Sequence, residues 1–203
     1  KRYNRDSNIM LSSRVVQKHY IFLRFSFIMF KQIKGDLKRL ADPKRAKVLQ
    51  GFFKTGKGEY GEGDIFIGIT VPEQRKVAKK YIDIKLKYVE KLLNSKIHEE
   101  RLTAVLILVE KFQRSEKLEK EKIVKFYLRN TKKVNNWDLV DSSADKILGA
   151  YILKKDKQVL YKLAKSKNLW ERRISIVATF YFIKNNKFQD TLKIAEILLN
   201  DEH

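Results

Sequence analysis

Apolar positions recur every three or four residues through most of the chain, the spacing that gives a helix one buried stripe. From Phe30 onward Ile33, Leu37, Leu40 and Val48 keep that period. A break is expected at Asp42-Pro43, where an Asp cap and a proline in the first turn would open a second helix. Past Pro72 the pattern predicts helices over 73–82, 85–95, 98–114, 117–131, 136–153, 156–166, 169–185 and 189–200. The most regular of them carries Leu102, Val105, Leu106, Val109 and Phe112 on one face. Thr70 and Glu73 stand at capping-box spacing. Turns such as Asn94-Ser95 and Asn185-Asn186 are short, which sets neighbouring helices antiparallel. The chain reads as all-α. Helix pairs of about 35–45 residues without a strict repeat read as a HEAT-like α-solenoid, an ARM-type superhelix whose concave side is an extended groove. A four-helix bundle is the competing architecture, and the number of helices in this order favours the solenoid.

Two stretches depart from the pattern. Residues 1–18 are polar and basic, and an aromatic run from Tyr20 to Phe30, interrupted by Arg24, follows them. That run is shorter than the ~20 residues a bilayer span needs, and it lacks the uninterrupted apolar centre of a signal peptide. Residues 1–28 are therefore expected to be an extension, with Met29 the natural start and 29–203 the domain; an interfacial membrane anchor is the alternative. The second departure is the glycine-rich stretch from Lys54 to Asp64. Gly56, Gly58 and Gly61 satisfy G-x-G-x-x-G, but no βαβ unit surrounds them. Glu59, Glu62 and Asp64 would also repel a pyrophosphate, so the stretch reads as a loop.

Composition narrows the partner. Forty-five Lys and Arg stand against 24 Asp and Glu, a net charge of +21 that attracts polyanions. Nucleic acid is the first candidate, then an anionic membrane or an acidic protein. The absence of Cys removes disulfides, thiolate zinc sites and Cys nucleophiles together. His19, His98 and His203 are far apart, so no histidine metal site is expected, and no cofactor motif is present.

Two clusters carry candidate chemistry. In the stretch from Asn135 to Ala144, Asn135 or Asn136 can cap a helix whose stripe is Val140, Ala144, Ile147, Leu148 and Tyr151. Trp137 lies on that stripe and Asp141, one turn on, at its edge, with Asp138 and Asp145 turned toward the polar side. An indole and a carboxylate are thereby presented together at the border of a buried face. A core Trp beside a capping or solvated Asp is the structural alternative. The second cluster runs from Leu169 to Val177, where Ile174, Val177, Thr179 and Phe180 would supply core and Arg172 and Arg173 straddle its edge. Such a pair can clamp phosphate through forked donors, or pair on the surface with Glu171.

The run Asn-Asn-Trp-Asp-Leu-Val-Asp ending at Asp141 closely resembles the central motif of the bacterial DNA alkylation repair family, the AlkD-type glycosylases. The run from Phe66 to Lys76 resembles that family's N-terminal signature, an apolar-Gly turn leading into a Pro-started basic helix. The run from Leu169 resembles its Leu-Trp-Glu-Arg-Arg helix. The resemblance covers residues 29–203. It implies a DNA glycosylase that removes positively charged alkylpurines, such as 3-methyladenine and 7-methylguanine, from duplex DNA by hydrolysis. The expected setting is a cytoplasmic, nucleoid-associated monomer that needs no cofactor or metal. By the same resemblance Asp141 matches the catalytic Asp and Trp137 a cleft aromatic. Arg172 or Arg173 would reach the DNA-binding cleft, with Arg173 the inner of the two, and Arg75 and Lys76 would also contact DNA. Members of the family continue with a helix bearing Gly-Trp-Met-Leu-Arg, so the family's last helices, and one aromatic wall of the cleft, are expected to be missing. A non-catalytic HEAT-like module binding DNA or an acidic protein is the alternative function, and a membrane-surface protein anchored by residues 18–30 is a third.

Overall fold

Residues 24–203 are described by the structure, a computed structural model. Among them the backbone is helices and turns, with one isolated bridge between Ile65 and Ile97. Helix α1 (residues 24–40) turns Ser26, Met29, Ile33 and Leu37 inward, steps of three and four residues that build one stripe. It runs unbroken across residue 28; the rest of the expected extension, residues 1–23, lies outside the described residues. Helix α2 (Pro43–Phe52) starts as expected, with the Asp42 carboxylate accepting the N–H groups of Lys44 and Arg45. Leu40 and Val48, expected in the core, are exposed instead. The reason is that α2 buries none of its residues; it lies on the outside, and Phe53, just past its end, goes inward.

Gly68 shows why the apolar-Gly turn needs a glycine. Its φ is +85°, and a Cβ there would collide with the Asp42 carbonyl at the head of α2. The turn is held by the buried Glu99 carboxylate, which accepts from the N–H groups of Ile67, Gly68 and Ile69. Helix α3 (Val71–Lys80) follows, and its capping box between Thr70 and Glu73 forms as expected.

Helix α4 (Leu86–Leu93) and α3 both pack on α5 (His98–Arg114), which also touches α6 (Lys117–Arg129) and α7 (Trp137–Asp141). With neighbours on both sides, α5 is buried at every position from His98 to Val109, rather than along one stripe. Truncating a core residue such as Leu102 or Leu106 to Ala is expected to cost about 2–5 kcal/mol.

The helix expected over 136–153 is broken. After α7 comes a turn, then a π-helical segment over Asp145–Gly149, then α8 (Ala150–Ile152). The Ser143 hydroxyl donates to the Leu139 carbonyl, while the Ser143 N–H bonds to Val140, so the ladder slips at that point. The Ala150 N–H then reaches back five residues to the Asp145 carbonyl. Gly149 is needed here because a Cβ would strike the carbonyl of Ala178 on the adjacent helix.

Helices α9 (Gln158–Ala164), α10 (Leu169–Ala178), α11 (Phe180–Ile183) and α12 (Gln189–Ile197) complete the stack. Helix α10 packs on α9, α7 and the π segment, and α12 closes over α9, α10 and α11. The expected helix over 169–185 is interrupted at Thr179, whose hydroxyl donates to the Ile176 carbonyl. The chain resumes in a shifted phase, so Phe182 is buried and Phe180, expected in the core, is exposed. The architecture is the all-helical, HEAT-like solenoid that the periodicity indicates. No helix among the described residues is long and apolar enough to cross a membrane.

Candidate active site

Helix α7 presents the central motif. Asn136 caps it, its side-chain oxygen accepting the Trp137 N–H at 2.8 Å. Trp137 is half-buried and lies flat on Phe53, with ring centroids 5.1 Å apart and planes 9° from parallel. Phe52 meets it edge-on. Phe53 in turn stacks on Phe66 at 4.7 Å, so an aromatic column rises from the core and ends in the indole.

One turn beyond Trp137, the Asp141 carboxylate is 39% exposed and accepts from Arg173 in a fork, 2.9 Å from Nε and 2.7 Å from Nη2. Three predicted site residues, Trp137, Asp141 and Arg173, are thus brought together from α7 and α10. The structure also separates the two arginines. Arg172 turns to Asp201, 3.1 Å from Nη2 to Oδ1, and to the carbonyls of Ser166 and Lys167. That hydrogen bond raises the pKa of Arg172 further and holds the Asp201 carboxyl below its usual value. The alternative pairing with Glu171 does not form, because that carboxylate accepts from Thr131 and Ser166. Burial tends to raise the Glu171 pKa, and these two hydrogen bonds outweigh it and lower the value. Arg75 and Lys76 are exposed on α3 and do not line the cleft.

Beside the Asp141–Arg173 pair opens a cleft of about 530 Å³, walled by Tyr60, Trp137, Trp170, Arg172, Arg173 and Ile176, among others. Tyr60 and Trp170 meet edge-on across it, 5.9 Å between centroids. Neither is among the cleft residues that the sequence indicates. Trp170 neighbours the Arg pair in sequence and could have been suspected, whereas Tyr60 sits in the aperiodic glycine loop and carries no such signal. In that loop the glutamates use the glycine amides: Glu59 accepts from the Gly56 N–H at 2.7 Å and Glu62 from the Gly58 N–H at 2.9 Å. The amides that a phosphate would need are already occupied.

Asp138 and Asp145 correct the sequence reading, since both are buried rather than turned to the polar side. Asp145 accepts from Lys146 and Lys184. Burial tends to raise its pKa, and these two lysines bring it below the usual carboxylate value. Asp138 faces His98, with Nε2 to Oδ2 at 2.7 Å. His98 has no motif around it in the sequence, yet it is the hub of a buried polar centre. Its Nδ1 lies 3.2 Å from Asp64 Oδ2, the same oxygen that accepts from Arg101 at 2.6 Å and from the Asn136 amide at 3.4 Å. Burial tends to raise the Asp64 pKa, but His98 and Arg101 outweigh it and hold the carboxyl below its usual value. Among the described residues no group of three or more His, Asp or Glu side chains is placed to hold a metal ion.

Comparison with known proteins agrees with the all-helical fold. The model of a family described as DNA alkylation repair enzyme matches residues 33–203. Among solved structures, a predicted DNA alkylation repair enzyme from Enterococcus faecalis is similar in fold, with a TM-score of 0.58 at 17% identity, over 80% of this chain and 76% of that one. No curated protein sequence matches the chain.

Proposed function

The chain belongs to the DNA alkylation repair enzyme family, and on that premise we propose that it is a glycosylase. Its substrates are positively charged alkylated purines of the 3-methyladenine and 7-methylguanine class, excised from duplex DNA. The observation that carries this reading is the exposed Asp141 carboxylate, oriented by Arg173 and set one turn from the Trp137 ring.

In such a lesion the purine already bears the positive charge. The C1′–N bond can break with its electron pair moving onto the base, which leaves neutral and needs no strong acid. What remains costly is the positive charge building on the deoxyribose. A carboxylate about 4 Å from that charge, at an effective dielectric of ~20, is worth ~4 kcal/mol, roughly a thousandfold in rate. Asp141 is the group in position to supply this field. Trp137 offers a ring face to the same cation, worth ~0.5–2 kcal/mol. Water then bonds to C1′ and releases its proton, completing the hydrolysis. Arg173 spends two N–H donors on Asp141, and its others remain for a phosphate of the duplex.

The test is excision from methylated duplex DNA by the wild type and by Asp141→Asn. The substitution is expected to slow excision by about 10²–10³-fold while leaving DNA affinity equal or slightly higher. Equal excision by both proteins would remove Asp141 from the chemistry, and none by the wild type would favour a basic helical module that binds DNA without catalysis.

A further inference from the structure

His98 opens α5 and is 1% exposed, its ring lying between two carboxylates. A carboxylate in its ionised form can only accept. For the 3.2 Å contact with Asp64 and the 2.7 Å contact with Asp138 both to be hydrogen bonds, both ring nitrogens must carry hydrogens. A neutral imidazole has only one. Charge balance gives the same answer. The charged groups facing His98 among the described residues are Asp64 from the glycine loop, Asp138 from α7, and Arg101 one turn along its own helix. A protonated ring makes that buried cluster neutral, and a neutral ring leaves one negative charge in excess, which is costly away from water. Arg101 Nη2 could donate to a bare Nδ1, but at 3.4 Å it lies further away than the Asp64 oxygen. Asp138 depends on this contact, because its other oxygen is buried with no partner.

The same ring also underlies the site. Phe66 stacks on it at 4.3 Å, Phe53 lies 5.1 Å away, and Phe53 carries Trp137. Asp138 is next to Trp137 in the chain and three residues before Asp141. We propose that His98 is the positioning residue of the site: held as an imidazolium, it ties α7 to the glycine loop through Asp138 and Asp64, and so fixes how Trp137 and Asp141 face the cleft. The catalytic consequence rests on the glycosylase reading; the clamp itself does not.

Burial pulls the His98 pKa down, but the hydrogen bonds to Asp138 and Asp64 outweigh it and hold the value above that of an ordinary histidine. A group whose pKa is raised on folding contributes its stabilisation fully below the unfolded value and loses it as pH rises through the folded one. The clamp is therefore closed through the pH range in which an ordinary histidine loses its charge, and it opens at higher pH.

The experiment is imidazole ¹⁵N NMR on the full chain, with the His98 signals assigned by their loss in His98→Gln, alongside the pH profile of excision. At about pH 7.5, a unit above the ordinary histidine value of about 6.5, His98 should still show two protonated nitrogens. Excision by the wild type should fall on the alkaline side. His98→Gln should be about 10–100-fold slower, as expected for a displaced catalytic group, and flat over that range. Should His98→Gln fail to fold, Asp138→Asn carries the test, moving loss of the second N–H to lower pH by about one unit or more. A singly protonated ring at neutral pH, or an unchanged alkaline limb in His98→Gln, would overturn the proposal. If the wild type does not excise at all, the NMR titration still decides the clamp, and the failure belongs to the glycosylase reading alone.

Discussion

Asp138 and Asp141 sit three residues apart on one short helix, and each faces a cation, yet the structure places them in opposite environments. The Asp138 side chain is 10% exposed and joins His98, Asp64 and Arg101 in a closed centre. The Asp141 side chain is 39% exposed and meets Arg173, which itself lines an open cleft. In the closed centre each charge has given up water, so removing one partner strands another, at a cost of about 3–5 kcal/mol. At the rim both charges keep much of their hydration, and such a pair is worth ~0–1 kcal/mol. That weakness suits a site: Asp141 and Arg173 can turn toward a sugar and a phosphate at little cost to the fold. The strong assembly holds the helix, and the weak one is the pair that the proposed reaction would use.

Salt should separate the two regions most widely. With ~6–10 phosphate contacts, affinity for duplex DNA should fall ~10³–10⁵-fold between about 50 and 200 mM salt, whereas the melting temperature should move little because buried pairs are weakly screened. DNA binding that barely responds to salt would point to an apolar partner instead. Next in size is Arg101→Met, which removes the closest donor to Asp64. Urea unfolding should show a loss of about 3–5 kcal/mol, and a loss under about 1 kcal/mol would mean that the centre is not a unit.

The sharpest comparison sets Asp141→Asn against Asp138→Asn. The first should cut excision by about 10²–10³-fold and cost less than about 1 kcal/mol of stability. The second should cost about 1–3 kcal/mol, because a buried charged hydrogen bond becomes a neutral one. A solvated charge in the first turn of the helix would cost only about 0.3–1 kcal/mol through the dipole. Equal and small effects of the two on excision would remove the assignment of the chemistry to Asp141. The smallest effect serves as the reference: Glu110→Gln breaks the i,i+4 pair with Arg114 on α5 and should cost about 0.3–0.5 kcal/mol in the same melts.

The sequence by itself determined what depends on residues a few positions apart. The Asp42-Pro43 start, the Thr70–Glu73 box and an asparagine cap before Trp137 all close within one turn, and all form, the cap being Asn136. The pairing of Trp137 with Asp141 on one short helix is likewise local, and the charge of +21 is simply counted. Stepping 100° per residue, however, assumes an unbroken helix with one buried side. The slips at Ser143 and Thr179 and the neighbours on both sides of the stack defeat that assumption, which is why Asp138 and Asp145 are inside and Phe180 is not. Partner choice lay further still from the local pattern. Asp141 finds Arg173 across 32 residues, and His98 finds Asp64 across 34 and Asp138 across 40. No period carries such pairings: which carboxylate is closed in, which is left at the rim, and which arginine meets it are decided only when α5, α7, α10 and the glycine loop pack together and compete for the same charges.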